Sequence, residues 1–140
     1  AAVMVIGALL ACFGLRWGAG LAGGAGLIQL PVFIFFLAPY FPGRIKTALK
    51  HPQLVAVKLW AVGHLLANGM LADVLLFGSF LAWAVVDRIS LKRRPQRPLP
   101  GAPESGVNDI IIVVVGLGLY AVFAFWAHEW LFGVRPFVAS

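Results

Sequence analysis

Apolar residues in this chain do not alternate with polar ones; they come in long runs, and the charged positions are gathered between the runs. A helix that crosses a membrane needs roughly 20 mostly apolar residues for a ~30 Å hydrocarbon core. Five runs predict helices, at about 1–15, 21–41, 54–67, 70–86 and 110–130. Pro31 is expected to kink the second, because it brings no N–H to a helix interior, and Pro42-Gly43 to end it. Leu54 to Val86, taken as one helix, would be roughly 50 Å long at ~1.5 Å per residue. Asn68-Gly69 interrupts it as a left-handed helix stop, so the stretch predicts a tight helical hairpin, with Pro52 as the first helical residue of its first arm. Both arms look short for a bilayer, so the turn is expected to be shielded by neighbouring helices or local thinning. The segment 87–109, with five cations, four prolines and Glu104, predicts a polar loop without a fold of its own.

Composition sharpens this picture. Of 140 residues 61% are hydrophobic and 11% charged, with a mean hydropathy of +0.95, whereas soluble chains carry about 25% charge. That excludes a soluble globular domain and a disordered chain, and the missing alternation excludes an outer-membrane barrel. The expected fold class is all-α: a polytopic helical membrane protein of about five transmembrane helices with a central short hairpin, forming one membrane domain over 1–140. Ala1 stands inside an apolar run with no initiator Met and no basic segment before it. A signal peptide is a poor description, and residues upstream are expected to be missing.

Charge sets the orientation. Eight of the eleven cations, Arg44, Lys46, Lys50, Arg88, Lys92, Arg93, Arg94 and Arg97, fall in two loops. The positive-inside rule makes loops 42–53 and 87–109 cytoplasmic, with the Asn68-Gly69 turn and the C-terminus on the far side. Lys92, Arg93, Arg94 and Arg97 suit anionic headgroups, but topogenic charge accounts for them. No aromatic residue is interleaved with these cations to stack on bases, so nucleic acid is not an expected partner. Gly18-Ala19-Gly20-Leu21-Ala22-Gly23 has the spacing of a dinucleotide-binding loop, yet no strand precedes it; close helix packing is the expectation. Cys12 has no partner for a disulfide or a metal site. No HExxH, paired carboxylates or serine–histidine motif supports a hydrolase.

Ionisable groups inside the runs carry the chemical information, since burying one costs about 2.5–3.5 kcal/mol. Lys58 is close enough to the cytoplasmic end to snorkel, and His51, before Pro52, suits a cap or headgroup contact. His64 has no such escape. Trp60, His64 and Asn68 recur every four residues and share one helix stripe. Asp73, His128 and Glu129 fall at the same membrane face. Such a cluster fits a bis-histidine haem site, a proton or ion path, or a hydrogen-bonded network that pins helices. Imidazole is the common axial ligand of haem iron, and Trp60, Phe77, Phe80 and Phe123 are among the aromatics available to wall a porphyrin.

The stretches Arg44-Ile45-Lys46-Thr47-Ala48-Leu49-Lys50-His51-Pro52, Lys58-Leu59-Trp60-Ala61-Val62-Gly63-His64-Leu65-Leu66-Ala67-Asn68-Gly69 and Leu75-Leu76-Phe77-Gly78-Ser79-Phe80-Leu81-Ala82-Trp83 into Asp87-Arg88-Ile89-Ser90-Leu91-Lys92-Arg93-Arg94 resemble the NnrU family of bacterial membrane proteins. With Asn108 to Gly133, the resemblance covers roughly two-thirds of the chain. It implies a link to nitrite and nitric-oxide metabolism in denitrifying bacteria. The family is in turn similar to plant 15-cis-ζ-carotene isomerase, which implies haem b as cofactor, His64 as iron ligand and, if the protein is an enzyme, a haem-dependent cis–trans isomerase acting on a polyene. A diatomic gas is the other implied ligand. The family's second histidine, in an N-terminal His-Ser element, has no counterpart here. His128 is placed beside His64 as metal ligand by membrane depth alone, with Trp60 and Asn68 orienting or walling the cofactor. The alternative expectation is a non-enzymatic accessory subunit, packed among other membrane subunits in a respiratory or photosynthetic complex.

Overall fold

Pro31 breaks the first described helix where the sequence predicts it. Its ring nitrogen has no hydrogen to give Leu27, and the Leu30 N–H turns to the Leu27 carbonyl instead, at 3.3 Å. The computed structural model describes residues 24–137, which are helical with no strand among them. The expected span at 1–15, the Gly18–Gly23 stretch, Cys12 and Arg16 lie outside the described residues. In chain order the helices are α1 (Gly24–Leu37, broken at Pro31), α2 (Arg44–Leu49), α3 (Pro52–Ala67), α4 (Leu71–Leu91) and α5 (Val107–Phe132). Helix α3 pairs with α4 as the predicted hairpin, and α1 packs against both α3 and α5. One end of the bundle therefore gathers α2 and the loop after α4, with the cations of both; the opposite end gathers the hairpin turn and the C-terminal end of α5.

Helix α1 ends at Leu37, short of the expected end at 41 before Pro42-Gly43, with the Tyr40 and Phe41 N–H groups both turned onto the Leu37 carbonyl at 3.0 and 3.3 Å. Three further boundaries differ from expectation. Asn68-Gly69 is not a left-handed stop, since Asn68 is extended at φ −126°, ψ 132°, and among the described residues only Lys50 and Gly133 have positive φ. Asn68 ends α3 by turning its own N–H (2.8 Å) and its side-chain Nδ2 (3.1 Å) onto the His64 carbonyl. The left-handed glycine stop occurs instead after α5, at Gly133, whose N–H donates to Glu129 O at 2.8 Å. Second, α4 does not stop at Val86. It runs on to Leu91, because Asp87 and Arg88 are tolerated in a helix and Arg94 reaches back to Asp87 at 2.8 Å. Its 21 residues give about 31 Å of rise, so this arm is not short. Third, α5 extends past both expected ends and contains one widened π turn at Phe123–Ala127.

The basic loops are more ordered than their composition suggests. Residues 44–49 form α2, capped from 64 positions away: Asp109 accepts from the Arg44 N–H at 2.9 Å and the Ile45 N–H at 3.1 Å. The loop before α5 is pinned to the end of α1, with Ala102 N–H on Tyr40 O (2.8 Å), Ser105 N–H on Pro42 O (3.2 Å), and the buried Asn108 Nδ2 on Pro42 O and Pro103 O, both 2.8 Å. Asp109→Ala removes a charge-assisted cap and is expected to cost about 1–2 kcal/mol, read as a lower melting temperature and faster proteolysis between α1 and α3.

Between α2 and α3 the chain turns sharply at Lys50 (φ 59°, ψ −48°), closed by His51 N–H on Leu49 O at 2.6 Å. This is a γ-turn of the rare positive-φ kind. His51 cannot relax it by becoming helical, because Pro52 disfavours the α region in the residue before it. The strain costs of order 1–3 kcal/mol, and glycine would return part of any gain as chain entropy, about 0.5–1 kcal/mol. Lys50→Gly should therefore stabilise the protein by about 1 kcal/mol in a detergent melt; a destabilised variant would contradict the strain.

Candidate functional site

His64 sits in the last turn of α3, where the four-residue spacing lays it over Trp60. Its imidazole is half-buried and turned toward the protein. Phe77 of α4 stacks on it, with centroids 4.5 Å apart and planes 24° apart, and the Trp60 ring lies at 5.2 Å. Trp60 in turn meets Phe77 and Phe80 edge-on at 5.0 and 5.4 Å. Aromatic side chains from both arms of the hairpin thus pack against the His64 ring.

The polar contacts of the ring converge on one nitrogen. His64 Nδ1 is 2.9 Å from the Trp60 carbonyl and 2.7 Å from the side-chain amide of Gln29 on α1. A lone pair on Nδ1 would face the carbonyl oxygen at that short distance and be repelled. With the proton on Nδ1 the carbonyl contact becomes attractive, and the Gln29 amide nitrogen, 3.4 Å from the same Trp60 carbonyl, is the other donor there. This tautomer leaves the lone pair on Nε2, which has no hydrogen-bond partner among the described residues. An imidazole whose Nδ1–H is held by a carbonyl is the arrangement metal-ligating histidines use to fix ring orientation.

Gln29 was not among the candidate residues. Its signal was present, however, as the one amide in the apolar run from Leu21 to Phe41. Gly63 gives it room: a Cβ there would meet the Gln29 side chain at 2.9–3.1 Å.

The other candidates are placed at the same end of the bundle. Asp73 stands in the first turn of α4 and His128 near the C-terminal end of α5. His128 Nδ1 donates to Val134 O at 2.8 Å, and its ring stands edge-on to Phe123 at 6.0 Å. Glu129 pairs with Arg135 at 2.7 Å, so it is engaged in the turn after α5. Asn68 touches the His64 carbonyl and not the imidazole, which makes its role one of ending the helix. Among the described residues no three His, Cys, Asp or Glu side chains converge on a metal position. At the opposite end His51 lies 3.5 Å from Gln96. Burial first, then the charges of Arg88 and Lys50 against an opposing pull from Asp87, hold its imidazole below the usual histidine range.

Neither a curated protein nor a solved structure matches the chain. The family described as NnrU protein matches residues 1–136. With the match running from the first helix-forming run to the turn after α5, the chain belongs to the NnrU family.

Proposed function

We propose that this NnrU-family protein is embedded in the bacterial inner membrane and binds haem b, whose iron His64 would hold. The bilayer part rests on α4 and α5, of mean hydropathy 1.7 and 2.5, each with only 11% of its apolar window buried. A soluble core helix of that character would be covered, and exposing it to water would be costly. The basic end, with α2 and the loop after α4, is the cytoplasmic side.

The haem part rests on a single observation: a half-buried imidazole, flanked by Phe77 and Trp60, whose Nδ1 lies against Trp60 O while Nε2 has no partner among the described residues. In this proposal the chain's own residues orient the ring, through Trp60 O and Gln29, and supply apolar surface beside it. His128, with Nδ1 engaged by Val134 O, is the candidate second ligand. Bound haem would supply an iron able to take a diatomic such as nitric oxide, or to gate cis–trans isomerisation of a polyene by its redox state. Pyridine haemochrome analysis of the purified full-length protein tests this directly. About one haem b per chain is the expected result, one porphyrin for one such imidazole; material folded in the membrane but free of porphyrin would overturn it.

One observation favours a second function, a non-enzymatic accessory subunit. The Gln29–His64 contact joins α1 to α3, and an interhelical hydrogen bond of this kind pins membrane helices without any cofactor. Exposed Trp126 and Trp130, stacked at 6.2 Å on α5, would then face a neighbouring subunit. Porphyrin-free protein that co-purifies with a stoichiometric membrane partner supports this alternative.

A further inference from the structure

A widely open surface depression of about 560 Å³, its lining exposed except at Gly43, lies at the basic end between α2 and the loop that enters α5. It is lined by Arg44, Thr47 and Ala48 from one side and Glu104, Ser105 and Gly106 from the other, with Gly43 beneath. Its walls are held before any ligand arrives. Asp109 fixes the start of α2, and Ser105 N–H and Asn108 hold the opposite wall to Pro42. Gly43 is buried, and a Cβ there would meet the Asp109 carboxylate at 2.6 Å, so the floor is close-packed.

The charges in this depression are mixed, unlike the basic collar around it. Arg44 and Glu104 bring opposite charges to the two walls, and neither forms an ion pair among the described residues. The hydroxyls are divided as well. Thr47 Oγ1 donates to Gly43 O at 3.0 Å and so offers only lone pairs, whereas Ser105 Oγ accepts from Val107 N–H at 3.2 Å and keeps its own hydrogen to give. One part therefore suits a phosphate, through Arg44 and the Ser105 hydroxyl. The other suits an ammonium bearing N–H donors, through Glu104 and Thr47.

We infer that this depression binds the headgroup of phosphatidylethanolamine, the phosphate on Arg44 and Ser105 and the ammonium on Glu104 and Thr47. The inference rests on the membrane part of the proposed function and is independent of haem. Glu104 discriminates against phosphatidylglycerol, which carries no cation. Phosphatidylcholine is disfavoured because its quaternary ammonium has no N–H to give, and no aromatic side chain lines the depression to hold it by cation–π attraction.

The test is lipid retention by the full chain, delipidated in detergent, exposed to an equimolar mixture of the three phospholipids and weighed by native mass spectrometry. Phosphatidylethanolamine should be retained preferentially. Glu104→Gln should lower that preference by about tenfold or more, the loss of one charge-assisted contact. Gly106→Leu is the second variant. A Cβ at Gly106 meets no atom within 4 Å, and its backbone is right-handed helical, so leucine should fill the depression without unfolding the protein and abolish the retained lipid. Equal retention of the three lipids, or retention undiminished by Gly106→Leu, would overturn the inference. Failure of the unmodified protein to co-float with vesicles would instead remove the membrane reading itself.

Discussion

Substituting His64 with alanine is expected, on the haem proposal, to eliminate the Soret band that the proposal requires of the purified protein, while far-ultraviolet circular dichroism still reports a helical chain. The reason is that iron would lose the one protein nitrogen whose ring is oriented from inside the bundle, leaving at most His128, while α3 keeps its stop in Asn68, which bonds the backbone of residue 64 and not the ring. Removing the imidazole also leaves a gap between Phe77 and Trp60. Added imidazole should occupy that gap and restore the band, a rescue that a merely structural role for His64 does not predict. Gln29→Leu is a subtler probe. It removes the contact at 2.7 Å that helps orient the ring, and loss of such a supporting partner typically lowers metal affinity by about 10–100-fold. Haem titration of the variant should show that loss with the band position little changed. An unaltered Soret band in His64→Ala would sink the assignment of this residue, whatever else the protein binds.

Much of this architecture was legible because long apolar runs separated by charge and proline impose a coarse grammar. Apolar runs, Pro31, Pro52 and the two basic loops place the described helices and the end at which their cations collect. The finer stops were not legible, for a local reason. Asn-Gly permits a left-handed residue without requiring one, and at Asn68 two hydrogen bonds to a single carbonyl fix an extended backbone instead. Asp87 and Arg88 look like a loop in a hydropathy profile, yet charged side chains at the end of an apolar helix do not interrupt its backbone hydrogen bonding. The order in the loop before α5 comes from Asp109 and Asn108 meeting residues 42–45, contacts between positions more than sixty apart that no local pattern announces. At the candidate site the histidine stripe could be read, but its partner could not. Gln29 belongs to a different helix, and only the packing of α1 against α3 brings its amide to Nδ1.

The same packing makes a prediction of opposite signs at two glycines of α5. Gly116 is buried where α5 crosses α1 just beyond the Pro31 break. A Cβ on it would lie 2.6 Å from Ile34 Cγ1, 2.8 Å from Ile34 N and 2.9 Å from its Cα. The side-chain atom can turn away, but the backbone atoms cannot, so even alanine must push the two helices apart. Ile34 belongs to the small core with Ala38 and Ile112, and separation there would open the core and strain the neighbouring Tyr120 hydroxyl bond to Gly26 O, 2.9 Å long. Overpacking of this kind costs about 1–3 kcal/mol, and valine in place of alanine should raise the penalty further. Gly118, two residues on, is exposed and has nothing within 4 Å of its would-be Cβ. Alanine there should be neutral or stabilise the helix by up to about 1 kcal/mol. Thermal unfolding of the two single variants in the same detergent decides the matter. If Gly116→Ala melts no lower than Gly118→Ala, α1 and α5 do not approach as closely as the Ile34–Gly116 contact requires, and the placement of Gln29 against His64, which depends on the seat of α1, loses its support.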